Sequence, residues 1–242
     1  MKKTAIVVGS GFGGISAALR MKAMGYEVSI YEKLNQLGGR ARVFKKSGFT
    51  FDAGPTVITA PFLFNELFNL FGKDRSDYVK FVEVEPWYRF YFSSNNKTFD
   101  YSRSLKKTEK EISKFNDKDV FGYRLLLKFS EKIFNVGFNK LSFVPFHNFF
   151  FMLKQIPTLI KLKSYLSVFQ LVSKFIKNEQ IRQAFSIQPL LLGGNPIETT
   201  SIYNLIHFLE RKWGVHYAMG GTGNIIKGFE KLMKEENIRI FK

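Results

Sequence analysis

The sequence predicts an α/β protein: a parallel-sheet unit of the nucleotide-binding type, carrying an inserted antiparallel sheet and a helical segment. Three observations predict it. An apolar strand runs directly into a G-x-G-x-x-G turn and a helix; a second strand ends in an acid about 20 residues later; and the hydrophobic period then changes from two to that of helices.

The first strand, Ala5 to Val8, is apolar without interruption, as a strand buried on both faces of a parallel sheet requires. Gly9, Gly11 and Gly14 fill the glycine frame, with Gly13 inside it. The first glycine permits a tight turn, the second lets backbone approach a pyrophosphate, and the third lets helix and strand pack closely. The helix, residues 13–24, points its N-terminal N–H groups and positive dipole end at those phosphates. Gly25 ends it, and a strand from Glu27 to Tyr31 leads to Glu32 and Lys33. A carboxylate at Glu32 accepts ribose hydroxyls and repels a 2′-phosphate. The unit is therefore Rossmann-type.

A second glycine loop favours FAD over NAD. Gly38-Gly39-Arg40 is able to cross a pyrophosphate, with a guanidinium placed for bidentate phosphate contact, and Gly48, Asp52, Gly54, Pro55 and Thr56 come at short intervals after it. An ordinary turn with a solvated arginine is the plain alternative. Residues 1–72 make up this first segment.

A helix follows Pro61, with Phe62, Leu63, Leu67 and Leu70 as its buried face. In 73–103 the period is two, and Tyr78 to Glu85, Tyr88 to Ser93 and Thr98 to Tyr101 read as strands. Residues 104–188 read as helical. Thr108 with Glu111 suggests a capping box, and Asn116 or Asp117 caps the next helix. Leu141 to Lys177 is dense in Phe, Leu and Ile, is broken at Pro145 and Pro157, and is threaded by Lys154, Lys161, Lys163, Lys174 and Lys177. Short helices of that kind suit a lipid headgroup boundary. A lid whose apolar side is simply core is the alternative.

In 189–242, Thr199 or Thr200 caps a helix through Arg211, and Gly220, Gly221, Thr222 and Gly223 open another, residues 224–235. The glycine loop lacks the Lys-Ser/Thr of a P-loop, so close approach to a flat ring or a long apolar chain competes with plain turn chemistry. Asn237 to Phe241 reads as a strand returning to the sheet.

Composition narrows the classes further. With no cysteine among 242 residues, disulfides and thiolate metal sites are excluded, and His147, His207 and His216 lack ligand spacing. A net charge of +17 suggests a polyanionic partner, yet the lysines are spread out, and no nucleic-acid-binding pattern gathers them. Nucleic acid is therefore not the expected partner. No segment reaches the ~20 apolar residues of a membrane-spanning helix, and none reads as a signal peptide.

Six blocks occur in one order: VVGSGFGG, LGGRA, GFTFDAGPTVIT, RQAFSIQPLLLGGNP, SIYNLIHFLERKWGV and GGTG. In this the chain resembles the bacterial-type phytoene desaturases of the FAD-dependent amine oxidase and desaturase superfamily, from Lys2 to about Met233. The resemblance implies a cytoplasmic, peripherally membrane-associated flavoprotein that desaturates an apolar polyene precursor by hydride transfer to flavin. It implies FAD contacts at Gly9, Gly11, Gly13, Gly14, Glu32, Lys33, Gly38, Gly39, Arg40, Gly54, Pro55 and Thr56. Gly220, Gly221 and Thr222 are implied to lie near substrate. No acid or base is assigned, Asp52 being read as a structural hydrogen-bond acceptor; self-association as a homo-oligomer stays open. Ala218 departs from the proline usual before the glycine loop. Relatives are about twice as long, so the chain reads as an N-terminal half whose FAD domain is completed elsewhere. A flavin amine oxidase, or an inactive FAD- or lipid-binding fragment, are the competing expectations.

Overall fold

The computed structural model of the chain describes residues 3–145 and 147–242. In chain order the elements are β1 (Thr4–Val8), α1 (Phe12–Ala23), β2 (Glu27–Tyr31), β3 (Val43–Lys46), β4 (Phe49–Asp52), α2 (Pro61–Asn69) and β5 (Phe81–Glu83). Then come β6 (Tyr88–Phe92), β7 (Lys97–Tyr101), α3 (Leu105–Ser113), α4 (Lys118–Val136), α5 (Phe149–Lys161), α6 (Val168–Phe175) and α7 (Glu179–Ala184). The last are α8 (Leu205–Trp213), β8 (His216–Ala218), α9 (Thr222–Glu235) and β9 (Arg239–Phe241). They form two compact units: one runs from the amino terminus to Glu83 and resumes at Val215–Lys242, the other is Val84–Gly214. Segment 73–83 thus belongs with the first unit, and 189–214 with the second.

The first unit holds a parallel sheet in the order β1-β2-β9, with Thr4 opposite Glu27 and Ser29 opposite Arg239. The terminal strand does return to the sheet. Ile15, Ala18 and Leu19 of α1 and Ile225, Phe229, Leu232 and Met233 of α9 recur at helical spacing, so each helix buries one stripe against the sheet. Each of the buried Ile, Leu, Phe and Met side chains among them stabilises by roughly 1.5–3 kcal/mol.

β1 departs from expectation. Only Ala5 and Val7 pack on the core, while Ile6 and Val8 are 70% and 85% exposed. The helices cover one face alone, and among the described residues no strand pairs with the outer edge of β1. In α2, Pro61 occupies the first helical position, where its missing N–H costs nothing. The buried pair is Leu67 and Phe68; Leu70 lies at the helix end, outside the core. The β3–β4 hairpin is an addition to the predicted elements, and β5 joins β8 rather than β6 and β7.

In the second unit β6 and β7 pair as expected, Tyr88 opposite Tyr101. Ser104, not Thr108, caps α3; Thr108 is buried and bonds the Ser102 backbone instead. Gly122 lets α4 touch the end of α6, where a methyl group would overlap the Phe175 carbonyl. The buried Asp119 carboxylate accepts the Lys177 and Asn178 amides, each at 2.7 Å. Pro157 lies inside α5 instead of breaking it. That helix buries no residue, so water can take the carbonyl that the proline leaves without a donor. α6 differs, burying Val168, Leu171 and Val172 behind a Ser167–Gln170 capping box.

The second unit's core is aromatic and polar together. The Arg211 guanidinium lies over the Trp87 and Tyr101 rings and donates to Ser102 O, Tyr123 Oη and Thr108 Oγ1. Glu210, fully buried, accepts from Tyr88 Oη at 2.8 Å. His207 Nε2 faces Phe185 O at 2.9 Å and Nδ1 faces Gln188 Nε2 at 3.2 Å. A carbonyl only accepts, so Nε2 carries the proton.

Candidate cofactor site

Four loops of the first unit converge through contacts that exclude side chains. Gly9, at φ +91°, makes the turn out of β1, and its amide donates to Tyr31 O at 2.7 Å. A methyl group on Gly14 would overlap the Gly9 carbonyl oxygen, so this glycine serves helix–strand packing. Gly11 and Gly13 differ: a methyl group on either would meet no protein atom within 4 Å. Gly11 is the N-cap of α1, and no side chain caps that end. The first-turn amides of α1 therefore face open space, which is the cradle a diphosphate needs.

The second loop leans on the first. A Cβ at Gly39 would lie 3.1 Å from Gly11 Cα, and Gly38 adopts φ +111°, which a residue with a side chain rarely adopts. Arg40 follows in a short 3-10 turn; its side chain is exposed and makes no ion pair or hydrogen bond among the described residues. A free guanidinium beside bare helix amides is the donor set a diphosphate recruits.

Ser10, for which the sequence pattern predicts no role, ties these parts together. It is fully buried; its amide and hydroxyl donate to Glu32 Oε2 at 2.9 and 2.5 Å, and it accepts the Gly38 amide at its carbonyl. Leu34 N donates to Glu32 Oε1 at 3.0 Å. The bonds from Ser10, side chain first, hold the Glu32 carboxyl below the usual carboxylate range. Three donors leave about one of four lone-pair positions free. For both ribose hydroxyls to bind, the Ser10 hydroxyl must give way. The only signal for Ser10 in the sequence is its position inside the first G-x-G. Lys33 is exposed beside this group.

The third loop packs under the second. A Cβ at Gly54 would fall 2.6 Å from Ala41 Cα and 2.9 Å from Arg40 O. Pro55 and Thr56 are exposed, and the Pro55 carbonyl accepts from Thr222 Oγ1 at 3.2 Å. The fourth loop, Gly220 to Thr222, opens α9, with both glycines at φ +80°. A methyl group on Gly220 would overlap the Asn224 side chain, and one on Gly221 would overlap the Asp52 carboxylate. Asp52 accepts no hydrogen bond at its side chain among the described residues, contrary to expectation. Ala218 is paired in β8 opposite Phe81, so strand pairing fixes the entry to this loop. A cavity of about 890 Å³ opens beside Leu37, Arg42, Asn224 and Lys227, but none of residues 9–14 lines it.

A strand, glycine turn, helix and acid-ended strand, with a second glycine–arginine loop on the same cradle, define a dinucleotide-binding oxidoreductase domain. The comparisons narrow the class. Residues 12–240 match the family model of flavin containing amine oxidoreductases, and the chain belongs to that family. Its cofactor is FAD, which the open Gly11 cradle, the free Arg40 and the ionised Glu32 fit. The chain is similar to a lycopene-forming phytoene desaturase of Pseudescherichia vulneris, 48% identical over 97% of this chain and 47% of that protein. A second, from Pantoea ananas, is 46% identical over 96% of this chain and 47% of its own length. The chain thus spans about half the length of the curated relatives it matches. Among solved structures, a Pyrococcus furiosus protein aligns with TM-score 0.62 at 20% identity, covering 98% of this chain and 50% of its own. Putrescine oxidase with bound putrescine aligns at 0.59 and 15% identity, covering 99% and 50%. Likeness at those identities speaks to the fold alone.

Proposed function

We propose that the chain carries the FAD-binding and lipid-contacting part of a desaturase that introduces double bonds into phytoene or a related carotenoid precursor. The observation that supports it most is identity of 44–48% to lycopene-forming phytoene desaturases across 96–97% of the chain. When bound, FAD would supply the oxidant, taking the hydride from one of two adjacent carbons while the other loses a proton to solvent. The chain's own residues bind and orient. The α1 amides and Arg40 hold the diphosphate, Glu32 the ribose, and the Gly54 and Gly221 contacts fix the loops that flank them.

The apolar substrate suits a protein that rests on lipid. α5 exposes Phe149 and Phe150 at 67% and 79%, with Ile156 and Ile160 also exposed. Residues 132–178 contain seven lysines and no aspartate or glutamate. Each lysine near an anionic surface adds about 1 kcal/mol. No helix among the described residues is long and apolar enough to cross a membrane; the contact proposed is a peripheral one.

The chain is incubated with FAD and phytoene in liposomes, and coloured polyene absorption is followed. Colour is expected. Retained FAD without colour removes the desaturase reading for this chain. Flotation with anionic vesicles at low salt tests the lipid contact, and its absence counts against α5.

A further inference from the structure

We propose that Asp52 is a positioning residue of the cofactor site, whose negative charge holds the Gly220–Thr222 loop in register with the Asp52–Thr56 loop. The proposal rests on the FAD reading above and adds a residue that neither the glycine frame nor the second loop contains.

α9 begins without help from its own residues. Gly221 is its N-cap, no side chain caps it, and its first turn carries no acid. A fourteen-residue helix thus presents the Thr222 and Gly223 amides without an acceptor among the described residues, Asn224 N donating to Gly221 O at 3.1 Å, together with a positive dipole end. The group found there is the Asp52 carboxylate. A methyl group on Gly221 would overlap Asp52 Oδ2 and lie 2.9 Å from Oδ1. Among the described residues no cation pairs with Asp52 and no donor bonds its side chain, so the helix end is the one feature that accounts for a carboxylate at this place.

The flanking contacts keep the same register. Val43, opposite Asp52 in the β3–β4 ladder, meets Gly223, where a Cβ would lie 2.6 Å from Val43 Cγ2. Pro55 O accepts from Thr222 Oγ1. Residues 221 and 223 therefore approach the open end of the hairpin, and 222 the loop that leaves it. From there Gly54 packs on Arg40 O and Ala41, and Gly39 on Gly11. A shift of the 52–56 loop is therefore passed toward the diphosphate cradle through close approaches that leave no room for a side chain. Shape alone does not explain the acid, because its partner is a glycine with no side chain to recognise.

The test compares the full chain with Asp52→Asn, which keeps the shape and loses the charge, and Asp52→Ala. Amide exchange at Thr222 and Gly223 is measured without FAD, and FAD affinity by quenching of flavin fluorescence. Both variants are expected to speed exchange about 5-fold and to weaken FAD binding by a similar factor, about 1 kcal/mol. Protection of these amides in the wild-type chain should fall as salt rises from ~0.01 to ~1 M, since screening then shortens from ~30 to ~3 Å, and should be salt-independent in Asp52→Asn. An Asp52→Asn chain that matches wild type in exchange and affinity overturns the proposal. Faster exchange with unchanged affinity overturns the positioning role and leaves a local charge effect at the helix end. A wild-type chain that binds no FAD overturns the cofactor reading instead, and the exchange comparison still decides whether Asp52 holds the loop.

Discussion

Glu210 and His207 share helix α8 and are linked through Gln188, and folding exchanges their protonation. Burial pushes the Glu210 carboxyl up to about 7 from its ordinary 4.5, against the lowering effects of Tyr88, Arg211 and Gln188. Burial pushes His207 down to about 4 from 6.5, with Phe185 O opposing and Arg211 adding to the fall. Geometry agrees for the acid. Glu210 Oε2 is a buried oxygen without a donor, a place where the neutral acid costs less than the carboxylate. Near pH 5.5 the unfolded chain holds a carboxylate and an imidazolium, whereas the folded chain holds a neutral acid and a neutral imidazole. Each gap is about 2.5 pH units at about 1.4 kcal/mol per unit, hence about 3 kcal/mol per residue. The signs oppose. The Glu210 contribution is full below 4.5 and lost as pH rises to about 7; the His207 contribution is full above 6.5 and lost as pH falls to about 4. From 4.5 to 6.5 they cancel.

Substituting Glu210→Gln removes one limb of this balance. Relative to wild type, the variant should then gain stability by about 3 kcal/mol as pH rises from 4.5 to 7. Urea unfolding at a series of pH values reads this directly, because both tryptophans, Trp87 and Trp213, lie in the second unit and report on it. Carboxylates elsewhere bend both curves alike, so the difference between them is the quantity to follow. Parallel curves, with no change in the difference across that window, refute the inverted protonation.

Three further outcomes are expected. Gly11→Ala should keep the melting temperature within about 2 °C yet weaken FAD binding at least about 10-fold, while Gly14→Ala, whose methyl meets the Gly9 carbonyl, should lose about 2 kcal/mol or more of stability; equal stability loss in both would remove Gly11 from the cradle. Asp119→Ala removes the acceptor of the part-buried Lys177 and Asn178 amides and should cost about 2 kcal/mol by tryptophan-monitored urea unfolding; a cost under about 0.5 kcal/mol contradicts the bonding described. Ile6→Lys with Val8→Lys should change stability by less than about 0.5 kcal/mol, as both side chains face outward; a large loss, or a change in sedimentation coefficient, would mean that this face is covered by a second copy.

Much of the cofactor unit is legible in the sequence because its signals are local. The glycine frame, the strand Glu27–Tyr31 and Pro61 at a helix start each depend on residues within a turn or two. The β3–β4 hairpin has a local signal too, in Ser47 and Gly48. They adopt φ +51° and +81°, the pair of left-handed residues a two-residue hairpin turn demands. What no local pattern carries is partnership at long range. β8 pairs with β5 across more than 130 residues, Asp52 meets a glycine near the other end of the chain, and Ser10 serves Glu32 and Gly38 together.

The segment 141–177 shows why pattern alone stops short. α5 and α6 both mix Phe and Leu with lysine, and either could be core or surface by periodicity. In α6 a capping box fixes the start, and the Ser167–Thr200 bridge holds that start in place, so Val168, Leu171 and Val172 bury completely. α5 has only the Asn148 cap, carries Pro157 within it, and buries nothing. A core helix with an internal proline would strand a carbonyl away from water at a cost of several kcal/mol. At a headgroup boundary that carbonyl stays hydrated. The proline, a breaker by sequence pattern, is therefore an argument for the wet side of α5, and the phenylalanines beside it for the apolar one.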